Sequence, residues 1–550
     1  MLCQPITQTI QGGKSSMKKF MKLVILLVIT SLLLVSVACS GSGSETDTTS
    51  TAKESTQASG NETGSDKQGG VLRIAYGDKF NCIGYPAGST TYYENQVMDA
   101  VLETLGRYDE SGVLVPYLAE GFKMDADALT LTINLRKDVK FHDGTVCDAE
   151  AVKWNFEEFK ASGRSEINDV SKIEVKDPLT LVLHLSKWNN AIADAALFTA
   201  GRIISPTYFK ANGKDAAIGN PVGTGPFKFI KWERDAKIVF EKNKDYRVKG
   251  QPYLDGIEVV FMPDTTTIVS AMRAGEIDVV ATVDGTVSDA MEVDGRAPIS
   301  RPLTSGTIMN GLMPTSNDPS LPFHKLKVRQ AIAHAIDKEA IVAMNKKLGW
   351  AYSNQWTPPG SWSYNEATVG YPYDVAKAKQ LLAEAGYPNG FTCKGYVNSG
   401  DVKLMEVTQA YLAEVGIKME IIPIESAKEN EMTGIKGTWD GILRWAGRGE
   451  ADIAPVYART LTDEGVRCVG GVIHPADIKK LIDSALAAKT FDEKVAISKE
   501  LSKKVIDEYC LLIPFASVSS QVYATDKVKD SHLGYYHISH WTPELVRLEK

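Results

Sequence analysis

Cysteine and histidine are scarce in this 550-residue chain, with 7 and 8 copies, and the patterns that carry catalysis are missing. Beyond Cys3 and Cys39 the cysteines stand at 82, 147, 393, 468 and 510 without any CxxC, so they outline neither a disulfide framework nor a zinc site. Buried free thiols are the expectation. No HExxH, Walker loop or GxSxG occurs, and SxxK falls only ahead of residue 71, where nothing rigid can orient a serine–lysine pair. Gly223-Thr-Gly225-Pro226 lacks the third glycine of a dinucleotide fingerprint and reads as a turn. The trio His532, His537 and His540 fits no common zinc spacing and reads as packing or surface histidine. An enzyme therefore has no positive support, and no cofactor is implied. No basic patch with interleaved aromatics appears and the net charge is −7, which argues against a nucleic-acid partner. Past residue 38, no apolar run approaches bilayer length.

What is present begins with an address. Met17-Lys-Lys-Phe-Met-Lys22 supplies positive charge, Leu23 to Val37 is almost wholly apolar, and Ser36-Val37-Ala38 sets small residues before Cys39. A basic start, an apolar core too short to span and small residues at the cut mark a secretory signal. With cysteine next, the pattern resembles a bacterial lipobox, departing from it at Ser36, three before the cysteine, where leucine is usual. The expectation is a signal over 1–38, with residues 1–16 preceding the plausible start at Met17. Cys39 would be lipidated, anchoring the protein outside the bacterial cell membrane. The alternative is an ordinary cleaved signal with an incidental cysteine. The leader carries four lysines (14, 18, 19 and 22) and no acid, so its loss takes the charge from −7 to −11. Residues 39–70 are mostly Ser, Thr, Gly, Asp and Glu with no aromatic and no apolar period, a composition for a flexible tether.

The remaining 480 residues exceed one core and predict several lobes. Val71–Tyr76, Leu129–Leu135 and Leu179–Leu185 read as strands, the last two by their alternation. Asp148 caps a predicted helix over Ala149–Phe156, and Asp374 to Ala385 forms another with Gly386 past its end. Val328, Ile332, Ala335 and Ile336 make an apolar stripe at helical spacing, and a helix pair is predicted over roughly 475–509. The class is α/β.

Six segments, in order, resemble one family. They are Thr104–Phe122 with its Pro-Tyr-Leu-Ala-Glu, Leu135-Arg136 with Phe141-His-Asp-Gly144, Gly223-Thr-Gly-Pro-Phe227, Ala271–Asp278 with Gly-Glu-Ile-Asp, Pro322-Phe323 with Val328-Arg-Gln-Ala-Ile332 and Ile336-Asp-Lys338, and Asp374–Gly390. Together they are similar to extracytoplasmic solute-binding proteins of the peptide/nickel class, family 5. The resemblance implies a bilobal clam-shell with an extra inserted domain, mixed sheets being flanked by helices. Domain I would comprise 71–106, 222–313 and 516–550, domain II 107–221 and domain III 314–515. It further implies a monomeric receptor that binds a peptide or other small solute in a cleft and delivers it to an ABC permease in the membrane. A nickel–chelator complex or a carboxylated non-peptide solute is the alternative ligand. A surface enzyme or structural protein on the same scaffold is the alternative of a different class.

One departure from the family concerns the ligand. Peptide binders of this class often carry W-x-G-D, the acid pairing with the peptide amine, whereas here the stretch is Arg444-Trp445-Ala446-Gly447-Arg448-Gly449-Glu450-Ala451-Asp452. If Gly447 aligns, Arg448 replaces the acid and favours a carboxylate or other anion. If the loop is shifted, Glu450 or Asp452 takes the amine and Arg448 is solvated. Tyr85, after the first strand, Asn310, on the strand toward domain III, and the aromatics Trp356 and Trp445 complete the candidate set. Trp362 is a third aromatic apt for stacking.

Overall fold

The structure, a computed structural model, describes residues 69–89, 91–109, 112–299, 304–434 and 437–549. The signal, Cys39 and almost all of the tether lie outside the described residues. Three sheets organise the rest. The first has six strands in the order Tyr523–Ala524, Val279–Val280, Val71–Tyr76, Gly256–Phe261, Lys237–Lys242 and Phe227–Glu233. Its central strands Val71–Tyr76 and Gly256–Phe261 run parallel, and side chains alternate between two cores: Leu72, Ile74 and Tyr76 face one, Ala75 the other. A four-stranded antiparallel sheet follows, ordered Ala119–Asp125, Thr130–Leu135, Thr180–Leu185 and Val170–Asp177, with the helix Ala149–Ala161 packed on it. Asp148 accepts the Ala151 N–H at the start of that helix, as its N-cap position predicts.

The largest sheet orders Trp350–Tyr352, Ile513–Val518, Thr307–Pro314, Gly441–Gly449, Phe391–Asn398 and Ile417–Ile424. Both faces are covered. The helices Leu326–Ala335, Val375–Glu384 and Val402–Glu414 bury Val328, Ile332, Leu382 and Leu412 on one side. On the other, Ile453–Thr460, Ala476–Ala487 and Phe491–Lys503 bury Tyr457, Ile478, Ile482 and Leu501. All five cysteines among the described residues are buried and free.

Two strands run through the expected domain boundaries at 313/314 and 515/516. Thr307–Pro314 leads into the large sheet, Ile513–Val518 leads out of it, and the two lie side by side, with Ile308 opposite Val518 and Asn310 opposite Ala516. The register slips by one residue between Asn310 and Gly311, where a Cβ on Gly311 would sit 2.3 Å from the Ile513 carbonyl oxygen. Hydrogen-bonded pairing continues across the break because strand pairing responds to backbone register, not to lobe membership.

The motifs behind the resemblance turn out to be joints. Gly223 and Gly225 lie so close to the 101 peptide that an added Cβ would be 2.3 and 2.6 Å from the Val101 carbonyl oxygen. His142 clasps this turn, its N–H donating to Gly223 O at 2.8 Å and its Nε2 lying 2.9 Å from Gly225 O. Asp278 is fully buried and binds Arg73 three times, at 2.9 to 3.0 Å, and Lys527 at 2.6 Å. One carboxylate thus ties the first strand to the C-terminal segment. Burial opposes its charge, but the Arg73 and Lys527 hydrogen bonds win and hold its pKa below the usual carboxylate range. Because the folded pKa is depressed, the stabilisation is present above about pH 4 and is lost on further acidification. Asp278→Asn should cost about 3 kcal/mol at neutral pH, read as a lower urea midpoint.

Candidate functional site

The candidate residues lie around the end of the strand Gly441–Gly449, and period-two alternation divides them. Pairing of Leu312 with Arg444 and of Asn310 with Ala446 puts Arg444, Ala446 and Arg448 on the face of Asn310, and Trp445 and Gly447 on the other. Arg444 is buried, donates from Nη2 to Asn310 Oδ1, and lies 3.2 Å from Asp401. Burial lowers its pKa, against the pull of Asp401. Arg444 and Asn310 therefore form a polar pin inside the sheet.

Trp445 and Trp356 converge on the opposite face, in a cluster with Met309, Met313 and Leu443. The meeting point is Gly447, where a Cβ would come within 2.7 Å of Trp445 Nε1 and 3.1 Å of Trp356 Cζ2. Only glycine lets two indoles pack against the strand there. Tyr85 does not join this group. It is 2% exposed, its hydroxyl donates to Glu158 at 2.9 Å, and its ring stacks on Phe209. It packs the first sheet's lobe against the helices Ala149–Ala161 and Pro206–Gly219, so its place after the first strand does not bring it to the candidate set.

Beyond the strand, Arg448 Nε donates to Glu450 Oε1 at 3.0 Å. Glu450 Oε2 accepts from Ser305 Oγ and from the Gly306 N–H, both at 2.9 Å, with His537 Nε2 at 3.7 Å. Gly306 has φ +67°, and a Cβ there would overlap the His537 ring at 2.0 Å. Burial opposes the Glu450 charge, but Arg448, His537 and Ser305 outweigh it and hold the carboxyl at about 2. His537 stacks on Tyr108 at 4.8 Å between ring centres, and the Tyr108 hydroxyl donates to Asp194. Residues distant in the chain, Tyr108, Ser305 and His537, thus converge on the Arg448–Glu450 pair. Glu450 and Asp194 are the acids that act most on Arg448, yet 53% of its side-chain surface stays open to water.

Asp452 is also engaged, pairing with Lys494, whose ammonium lies 5.7 Å from the Trp362 ring centre. Trp362 in turn meets Phe491 edge-on at 5.2 Å. Burial raises the Asp452 pKa, and Lys494 pulls against it. Both acids that a shifted loop would offer to an amine are therefore already paired, whereas Arg448 is half open. Two contributors were missed from the sequence. Arg459, on the helix Ile453–Thr460, and Arg164, paired with Glu166 after the helix Ala149–Ala161, stand within electrostatic reach of each other. Neither lies in a recognisable motif, and only folding brings residues 164 and 459 together. Across the same divide, Asn190 donates to the carbonyls of Ala485, Leu486 and Ala488, and Trp188 Nε1 to Ala488, capping the helix Ala476–Ala487 from the neighbouring lobe. Of the histidine trio, His540 is held by Asp99 at 2.8 Å and His537 by the Tyr108 stack. Among the described residues no group of three or more His, Cys, Asp or Glu is placed to hold a metal ion.

A family model described as bacterial extracellular solute-binding proteins, family 5 Middle, matches residues 113–466. This chain belongs to that family. Family 5 proteins are the solute-binding components of ABC transporters, so the chain is an extracytoplasmic binding protein and not an enzyme. A glutathione-binding protein of Pectobacterium atrosepticum is 30% identical over 408 residues, 70% of this chain and 77% of that one. Among solved structures, the binding protein DppA of Helicobacter pylori in complex with the peptide STSA superposes with a TM-score of 0.73 at 25% identity, covering 88% of this chain and 99% of that one. AgaA of A. tumefaciens R10, in complex with agropinic acid, gives 0.70 at 27% identity, covering the same shares. The α/β clam-shell class expected from the resemblance is the observed one. Among the described residues no helix is long and apolar enough to cross a membrane.

The depressed Glu450 carboxyl makes a test of this family 5 site. Its stabilisation is complete above the unfolded value near 4.3 and is lost as pH falls toward 2. Glu450→Gln should remove roughly 3 kcal/mol at neutral pH and flatten the acid limb of the stability–pH curve, read by urea unfolding at pH 7, 4 and 2.5.

Proposed function

We propose that this protein is a lipid-anchored receptor for a peptide or peptide-like solute that presents a carboxylate to Arg448. The observation that carries the reading is the contrast at the end of one strand. Glu450 and Asp452 are neutralised within the protein, while the Arg448 guanidinium keeps about half its side-chain surface in water. An arginine so placed recognises a carboxylate in bidentate geometry and cannot take an ammonium. The ligands named for three relatives, glutathione, agropinic acid and a tetrapeptide, all bear a carboxylate. Trp362, half-buried beside Lys494, is the aromatic of the candidate set that can face a solute, since Trp356 and Trp445 are buried in the core.

The division into domains I, II and III follows the three sheets, with Thr307–Pro314 and Ile513–Val518 as the strands about which the clam-shell bends. The protein acts as a monomer. Its anchor is Cys39, and the tether over 39–70 keeps it close to the permease that receives the solute.

Two measurements test the reading. Native mass spectrometry of the purified mature chain should find a carboxylate-bearing solute, and glutathione or a tetrapeptide pool should raise its Tm. Arg448→Ala should weaken that binding by about tenfold or more. Equal affinity of wild type and variant for every free-amine peptide tried overturns the role of Arg448. For the anchor, Cys39→Ser should move the protein from the membrane to the soluble extracytoplasmic fraction and abolish labelling by radioactive palmitate.

A further inference from the structure

Arg107 and Tyr108 are neighbours on the short strand Gly106–Tyr108, which pairs with Leu114–Pro116, and they leave it on opposite faces. Tyr108 stacks on His537, beside Glu450. Arg107 points the other way, into a cavity of about 240 Å³ that it lines with Tyr117, Arg136, Arg247, Gln251 and Glu544. The cavity lies where the surroundings of the first sheet meet those of the four-stranded sheet. Arg136 follows the strand Thr130–Leu135, Arg247 follows Lys237–Lys242, and Glu544 belongs to the C-terminal segment. None of these residues belongs to the candidate solute site.

Tyr117 gathers the three arginines. The Arg107 guanidinium carbon lies 4.2 Å from the Tyr117 ring centre and that of Arg247 lies 4.9 Å from it, while Arg136 Nε donates to the Tyr117 carbonyl at 2.7 Å. Contact with a ring holds a guanidinium without using its N–H groups. Two buried carboxylates offset part of the charge. Arg107 Nη1 donates to Glu544 Oε1 at 3.1 Å, and Arg247 donates from Nε and Nη2 to Glu103 Oε1 at 3.0 and 2.7 Å. Arg136 has no carboxylate partner among the described residues. Neither its Nη1 and Nη2 nor the Gln251 side-chain amide has a hydrogen-bond partner there. Three guanidiniums are thus set against two carboxylates. Burial also raises the Glu544 pKa against the pull of Arg107, which limits what that carboxylate contributes as a counter-charge.

We propose that this cavity is an anion site, taking a small tetrahedral oxyanion of the phosphate or sulfate class between Arg136, Arg107 and Arg247. The planar forks of arginine match two oxygens of such an ion, and forks already held by Tyr117 lose little freedom when it binds. With 31% and 19% of the Arg107 and Arg247 side-chain surfaces exposed, an ion can enter while water screens the charges less than at an open surface. Three guanidiniums repel an ammonium or a metal ion. A volume of 240 Å³ lies below the roughly 300–1,000 Å³ of pockets for drug-sized ligands, so this is not a second peptide site. The proposal does not depend on which solute the receptor carries.

The test is calorimetric titration of inorganic phosphate, and separately of sulfate, into the mature chain at an ionic strength held constant with chloride. Saturable one-to-one binding of at least one of the two ions is expected. Arg136→Gln should weaken it by about tenfold. Gln251→Ala should weaken it by about threefold, and because the Gln251 side chain makes no bond within the fold, this variant keeps the test sound if Arg136→Gln does not fold. Absence of saturable binding of both ions to wild type overturns the proposal, as does equal affinity in wild type and the folded variants. Arg448→Ala tells this cavity from the candidate solute site. It should bind the ion as wild type does, whereas loss of binding in Arg448→Ala with none in Arg136→Gln puts the ion at Arg448 and overturns the proposal.

Discussion

The strands Thr307–Pro314 and Ile513–Val518 lie in the largest sheet as hydrogen-bonded neighbours, and this pairing fixes where the candidate residues on and beside them stand. Side-by-side strands resist splaying, because splaying breaks the ladder, but they tolerate bending about the line where register slips. Here that slip lies between Asn310 and Gly311, against the Ile513 carbonyl. The same strand carries Asn310, pinned by Arg444, and begins just after Ser305 and Gly306, pinned by Glu450. Polar fastenings thus lie on both sides of the slip. The candidate side chains Asn310, Arg444 and Arg448 are positioned by the sheet and not by loops.

Electrostatics then sorts the polar groups. A buried carboxylate without partners would take up a proton, yet Glu450 is held at about 2 because Arg448, His537, Ser305 and the Gly306 N–H converge on it. Asp452 is matched by Lys494. Arg448 balances Glu450 as Lys494 balances Asp452, and what Arg448 keeps is side-chain surface open to water. Arginine suits this position, since its guanidinium is weakly hydrated and its planar fork matches a carboxylate. Trp356 and Trp445, packed over Gly447, are buried in the core on the opposite face of the strand. A binding site needs an apolar wall and a few directed charges, whereas an acid–base pair poised for catalysis is not required of it.

Much of this was legible in the chain, because local patterns report local physics. The strands near 71, 130 and 180, the caps at Asp148 and Asp374, the buried stripe from Val328 to Ile336 and the unpaired cysteines follow from periodicity, capping and composition. The family segments were also recognisable, and the structure explains why they persist as units: His142 clasps the 223–225 turn, and Asp278 binds Arg73 and Lys527. Within the candidate stretch, Arg448 and its two acids could be named but not arbitrated. Which of three nearby charges remains open depends on Ser305, Gly306, Lys494 and His537, residues distant in sequence.

Alternation along one strand separated Arg444 from Trp445, and packing against Glu158 and Phe209 withdrew Tyr85 from the cleft set. Arg459 and Arg164 were invisible beforehand, since an arginine on an amphipathic helix reads as a solvated surface residue. The sequence by itself determined the class, the elements, the family and the secretory address, all of which are written in short-range spacing and composition. Tertiary structure decided which charges are neutralised and which aromatics meet. The physical reason is range: a cap or a periodic face is settled within a few residues, whereas a charge is settled by whatever the fold brings to it.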